Sequence, residues 1–373
     1  MMSEPGMISF GGGNPATEAF PSKEIRAISD NLLAEEPGQV LQYSLTEGYP
    51  ALREQGKKYL NRNFDIVKEQ DTVIVTTGSQ QVMDLLGKII CNEGDVIATE
   101  NPAFMGALNA FRSYGAKLVG IDMEPDGVNL AQLEAVLSAP QKPKVFYTIP
   151  NFQNPTGITT SLEKRQAVYE LCAKYGVLIL EDDPYGALRI SGSPIAPIKS
   201  FDTAGIVMHA SSFSKVLAPG MRLAMCAGPS ELMAKMALAK QVSDVHTTLW
   251  SQRVCERFLA LHDMEKHLER VSGIYRKKAN LMISEFERLM GGRIKFNRPE
   301  GGMFVWVTLP DNIDTAEFVR RCLEKKLMLV PGNAFTVDEN AKVQSVRTNF
   351  STPTEEQIKA GAQIMASVLD ELS

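Results

Sequence analysis

The sequence predicts an α/β protein, with a large domain on a seven-stranded, mostly parallel sheet and a smaller α+β domain after it. Three observations carry this. Between about residues 73 and 227, seven short β-branched runs alternate with several helix-length stretches. That βαβ rhythm builds parallel sheets covered on both faces. From about residue 262 the order changes to one long helical segment, then short strands and further helices. Finally, 373 residues are more than one hydrophobic core usually organises.

The candidate strands are 73–77, 96–99, 117–121, 144–148, 177–181, 206–210 and 223–227. Helical patterns at 80–91, 104–113, 130–138 and 162–175 fit between several of them. The segment 262–290 bridges to the second unit. That unit reads as strands at 293–296, 303–308, 327–330 and 345–350, a helix at 315–325 and a closing helix from 355. The expected division is an N-terminal arm over 1–41 that contributes to the small domain, a large domain over 42–262 and a small domain over 263–373. Ligands on such sheets sit at the carboxyl ends of the strands, which is where the polar motifs of this chain fall.

Composition narrows the function classes. Hydrophobic residues at 44% and charged residues at 22% are those of a globular protein. A formal net charge of −5 argues against nucleic acid as the main partner. The five cysteines are scattered and form no CxxC pair, so reduced, buried thiols are expected, with no metal and no disulfide framework. The opening MMSEPGMISF has no positive n-region and the apolar runs are strand-sized. Neither a signal peptide nor a membrane span is expected, and the cytoplasm is the expected location.

The chemistry-bearing segments follow in order. TTGSQQ at 76–81 joins a strand to a helix. Free N–H groups at such a helix start attract anions; Gly78 permits close approach, and Ser79 can touch a phosphate or merely cap the helix. IPNFQNPTG at 149–157 is a turn, within which the Asn154 amide can donate to a phenolate oxygen. EDDPYG at 181–186 follows a buried strand. A carboxylate there can pair with a protonated heterocyclic nitrogen; Asp182 is the choice, close to the strand and three residues from Tyr185. In SSFSKVLAPGMR at 211–222, Lys215 stands among hydroxyls and apolar residues. That setting desolvates the amine and lowers its pKa, as a Schiff-base lysine requires. Ser212, Ser214 and Arg222 can hold a phosphate. Arg347, in SVRTNF, reads either as a strand-edge arginine or as a clamp for an α-carboxylate. Residues 11–13 are glycines without the dinucleotide fingerprint. Met303, Phe304 and the region 242–250 read as shaping a side-chain pocket, and Trp306 as core.

Taken together and in order, TGSQQ, NPTG, DDPYG, SFSK with its later arginine, and R-x-N-F resemble the fold-type I pyridoxal-phosphate aminotransferases of class I/II. Within them the chain is similar to the branch holding 2-aminoadipate and kynurenine aminotransferases and the aminotransferase-like half of certain bacterial regulators. The resemblance runs from Ile8 to the last helix. It implies pyridoxal 5′-phosphate as cofactor, with Lys215 as the Schiff-base lysine and proton shuttle. It implies that Asp182 pairs with the pyridinium nitrogen, and that Tyr185 and Asn154 bond the phenolic oxygen. Ser79, Gln80, Ser212, Ser214 and Arg222 would line the phosphate cup, and Phe104 would stack on the ring. Tyr43 would reach the phosphate of a neighbouring subunit, implying a homodimer with shared sites. Arg347 and Asn154 would bind the substrate, bordered by Gly12 and Gly13.

The chain departs from the family pattern at Phe104, where a tyrosine is common, at Ala224, where a glycine is frequent, and in having only about ten residues before Gly11. The implied activity is ping-pong transfer of an amino group from an aromatic, branched or 2-aminoadipate-like L-amino acid to a 2-oxo acid such as 2-oxoglutarate. The alternatives are a lyase or decarboxylase on the same site, or a cofactor-binding sensor. A DNA-binding regulator is not expected, because the domain begins at about Ile8.

Overall fold

The computed structural model describes residues 5–373. Its large sheet contains β1 (Asp71–Thr76), β2 (Val96–Asn101), β3 (Lys117–Glu124), β4 (Gly127–Val128), β5 (Val145–Thr148), β6 (Leu178–Asp183), β7 (Val207–Ser212) and β8 (Ala224–Pro229). They lie in the order β1-β8-β7-β6-β5-β2-β3-β4. The five central strands, from β7 to β3, are mutually parallel, whereas β8 runs antiparallel to both β1 and β7.

The sheet thus has eight strands rather than seven. The addition is β4, which pairs antiparallel with the end of β3 through Met123 and Glu124. Two residues carry no alternation that a sequence can display.

Side chains of successive residues leave opposite faces of a strand, and the two cores follow that rule. Ile97, Tyr147, Leu180 and Met208 join the cluster containing Val82, Leu85 and Leu86 of helix α1 (Ser79–Ile90) and Ala107 and Phe111 of helix α2 (Met105–Arg112). Their neighbours Ala98, Phe146, Ile179 and Val207 join the cluster containing Val168 and Cys172 of helix α3 (Leu162–Tyr175). Helix α3 begins with Ser161 accepting from the Lys164 N–H and ends on Gly176 at φ 65°, a start and a stop written in the sequence.

The segment 262–290 is one helix, α4 (Met264–Met290), capped by the Asp263 carboxylate. After it, β9 (Lys295–Phe296), β10 (Phe304–Thr308), β11 (Val330–Pro331) and β12 (Ser345–Asn349) form an antiparallel sheet in the order β9-β10-β12-β11. The run expected as one strand at 327–330 is divided. Val330–Pro331 joins this sheet, while Leu327–Met328 pairs in parallel with Ile8–Ser9. That pairing draws the N-terminal glycines over the ends of the large sheet. All five cysteines are free, four of them buried. No helix among the described residues is long and apolar enough to cross a membrane.

Candidate active site

A cavity of about 280 Å³ opens where β5, β6 and β7 end, beneath the start of α1. Lys215, Asp182, Tyr185, Asn154 and Arg347 all line it. So do Ser79, Gln80, Ser212, Ser214 and Arg222, together with Phe104 and Gly13. Gly12 is not in the lining; its N–H faces Ser9 Oγ at 3.4 Å. Tyr43 is 79% exposed, with its ring edge-on to His246. Phe304 lines the cavity, whereas Met303 is in the core and the region 242–250 stays outside it. Trp306 packs on Phe335, away from the lining.

Strand alternation separates the three acids of EDDPYG. Glu181 points to the far face, where it accepts from the N–H groups of Ile198 and Lys199 and meets His209 Nδ1 at 3.0 Å. Asp183 accepts from Asn151 Nδ2 and the Gly186 N–H. Asp182 faces the cavity and is 1% exposed. Its Oδ2 accepts from Tyr147 Oη at 2.9 Å, and its buried Oδ1 has no partner among the described residues. Burial pushes this carboxyl up to about 7, against the lowering effect of the Tyr147 hydrogen bond. A free acceptor on a buried carboxylate fits a protonated ring nitrogen.

Lys215 Nζ donates to Gly13 O at 2.7 Å. Burial, aided by the positive charges of Arg222 and Arg347, lowers its amine to about 8. Arg347 is held by Asn154 Oδ1 at 2.8 Å and Gly11 O at 2.7 Å, between the rings of Phe304 and Phe335. Burial lowers it to about 10. At that value it stays a cation at neutral pH. Its buried Nε is unpartnered among the described residues, so the fork retains N–H groups for a carboxylate. Tyr185 stands edge-on to Phe304 at 5.9 Å. Burial raises its phenol, while Arg347 and a hydrogen bond with Asn154 act the other way.

The opposite end is built for an anion. Gly78, at φ 78°, precedes Ser79, the first residue of α1. A Cβ on Gly78 would lie 2.3 Å from Arg222 Nη2, so only glycine leaves the guanidinium its place. Arg222 itself sits at φ 52° and makes three contacts of 3.3–3.4 Å, to Ser214 Oγ, Pro219 O and Thr77 O. Such long bonds are weak, which leaves its N–H groups available to a phosphate. Thr77 and Gln81 both donate to Asp244 Oδ2 at 2.8 Å, which steadies the turn.

Glu100 and Gln153 were not among the residues singled out from the sequence. Glu100 is fully buried at the end of β2 and accepts from Thr148 Oγ1, the Ile149 N–H and Gln153 Nε2. Gln153 Oε1 accepts from the N–H and the hydroxyl of Thr156. The two residues clamp the loop carrying Asn154 to the strand that leads to Phe104. A glutamate at a strand end resembles ordinary solvation in a sequence; only its distance from water shows otherwise.

The family model described as aminotransferase class I and II matches residues 5–364. The chain is 37% identical over 369 residues to aromatic-amino-acid aminotransferase 1 of Thermococcus litoralis, covering 98% of this chain and 88% of that protein. The crystal structure of Pyrococcus horikoshii kynurenine aminotransferase, in complex with PMP, is similar with a TM-score of 0.94 at 36% identity, covering 98% of this chain and 91% of that one. The alpha-aminoadipate aminotransferase of Thermus thermophilus, complexed with N-(5′-phosphopyridoxyl)-L-leucine, gives 0.92 at 34%, covering 99% and 93%.

Only the neutral amine of Lys215 can condense with an aldehyde, and the amine is protonated below its pKa. The rate at which cofactor-free protein takes up pyridoxal phosphate is therefore expected to rise as pH rises through about 8, then level off. Stopped-flow absorbance measures it; a rate flat from neutral pH to well above that value would remove Lys215 as the acceptor.

Proposed function

The chain belongs to the class I and II aminotransferases and is a pyridoxal-phosphate-dependent transferase of amino groups, and we propose that it takes aromatic, branched or 2-aminoadipate-like L-amino acids as donors and 2-oxoglutarate as acceptor. One observation carries the reading. Lys215 and Arg347 reach the same glycine segment from one cavity, Lys215 through Gly13 O and Arg347 through Gly11 O. An α-carboxylate on Arg347 would bring the attached Cα toward Lys215. Phe104, Met105, Ile149 and Phe304 give the cavity apolar walls, which favours a large apolar donor side chain. The Thermococcus relative is named for aromatic amino acids and the Thermus structure for alpha-aminoadipate.

Bound pyridoxal phosphate supplies an electron-accepting ring that stabilises the charge left when a bond to Cα breaks. The residues of the chain do the rest. Asp182 Oδ1 would accept a hydrogen bond from the protonated ring nitrogen, and Asn154 and Tyr185 would bond the phenolic oxygen. Ser79, Gln80, Ser212, Ser214 and Arg222 hold the phosphate, and Phe104 packs on the ring. Arg347 orients the substrate carboxylate. Lys215 Nζ would take the Cα proton as general base and return it as general acid. Donor and acceptor use one site in turn, which gives ping-pong kinetics.

The same reading makes the chain a cytoplasmic homodimer, with an arm over 1–41, a large domain over 42–262 and a small domain over 263–373. Leu41, Tyr43, Leu45, Leu238, Val242 and Val245 are exposed apolar side chains. Leu45, Leu238 and Val245 line one groove, and such a patch favours self-association. In the dimer Tyr43 would serve the partner's phosphate site.

Two experiments test these assignments. Arg347→Ala is expected to raise KM for amino donor and oxo acid alike, by about tenfold to a hundredfold, the worth of a charge-assisted pair. Unchanged KM values for both, or ammonia release without an acceptor, would contradict the assignment. Sedimentation is expected to give twice the chain mass of 41.0 kDa; a single-chain mass at micromolar concentration would contradict the dimer.

A further inference from the structure

Tyr147 is fully buried in β5. Register sets it beside Leu180 of β6. Asp182 lies two residues further along, so the two side chains leave the same face. The Tyr147 hydroxyl donates to Asp182 Oδ2 at 2.9 Å, the one side-chain hydrogen bond to Asp182 among the described residues. The ring packs edge-on to Phe111 at 6.2 Å. Burial, with the negative charge of Asp182 beside it, holds this phenol well above its ordinary range, so it stays a donor at any working pH. A phenylalanine would fill the same space, and the hydroxyl is therefore not there for packing.

We infer that Tyr147 is a positioning residue for the reaction: its hydroxyl favours the ionised form of Asp182 and leaves Oδ1 as the free acceptor, so that the proton shared with the cofactor's ring nitrogen stays on nitrogen. The physical basis is that a hydrogen bond donated to a carboxylate stabilises its ionised form. Asp182 needs that help, because the other charged groups around it are committed elsewhere or act against it. Asp183, next in sequence, raises the carboxyl by repulsion. His209 lowers it from across the strand but is bonded to Glu181. Remove the hydroxyl, and the carboxyl becomes the stronger base of the pair. The proton then moves to Oδ1, and the ring loses part of its electron demand.

The inference rests on the assignment of Asp182 to the ring nitrogen, and the experiment separates the two. Wild type, Tyr147→Phe and Asp182→Asn are each prepared free of cofactor and titrated with pyridoxal phosphate labelled at its ring nitrogen. Nitrogen NMR then reads protonation directly. For Tyr147→Phe, which keeps the ring that packs on Phe111, the signal is expected to move toward the unprotonated position. The Kd for pyridoxal phosphate is expected to rise about tenfold. Turnover should show a lower kcat with little change in KM, since no substrate contact is touched. Circular dichroism and Tm check the fold. If Asp182→Asn moves the signal and Tyr147→Phe does not, the role of Tyr147 is overturned and that of Asp182 stands. If Asp182→Asn leaves the signal at its wild-type position, the assignment of Asp182 fails as well.

Discussion

Asp182 bears a carboxyl group on a buried strand end, with one oxygen held by Tyr147 and the other without a partner among the described residues. An ionised carboxylate so placed is costly to the protein alone, by several kcal/mol before compensation. Two of its neighbours bear the same kind of cost in the opposite sign. Burial disfavours the charge on Lys215 and on Arg347. The protein holds all three around one cavity, each with hydrogen-bonding capacity unspent. Such a site suits a ligand with a cationic ring nitrogen, an aldehyde and an anionic tail. The rest of the structure maintains that arrangement.

The parallel sheet does so by geometry. β5, β6 and β7 end together, so that Asn154 after β5, Asp182 at the end of β6 and Lys215 after β7 converge. The start of α1 and Gly78 place an anion-binding turn at one end of the cavity. The small sheet presents Arg347 at the other, and its tie to Gly11 couples that arginine to the N-terminal segment. Two buried charged groups on the far side are fully engaged: Glu181 by two N–H groups and His209, and Lys199 by Asp71 and Asp202. At the cavity, by contrast, Asp182 Oδ1 and Arg347 Nε have no partner among the described residues, and such unspent hydrogen-bonding capacity in a cleft marks a candidate functional site.

The seven β-branched runs were legible because helix-length stretches alternate with several of them. Polar residues at or just after the runs allowed Lys215, Asn154 and the acids that close β6 to be placed at strand ends. Which of those acids faces the cavity was also within reach, since strand alternation puts Asp182 opposite to Glu181. Tyr147 was not legible: in VFYT it reads as one more apolar residue of a buried strand, and its hydroxyl gains meaning only from a neighbour on the next strand. Glu100 was hidden in the same way. β4 was missed because two residues show no period, and the divided run at 327–330 because partner choice is tertiary. Tyr43, which the resemblance assigns to a neighbouring subunit's site, lies in the open in this chain, and a single chain does not bring it to a site.

The proposed chemistry depends on one covalent attachment, at Lys215, and one measurement addresses it directly. Protein loaded with pyridoxal phosphate, reduced with borohydride, digested and mapped by mass spectrometry should carry the pyridoxyl group on the peptide containing Lys215 and on no other lysine. Modification of a different lysine, or none after reduction of fully loaded protein, would contradict the account.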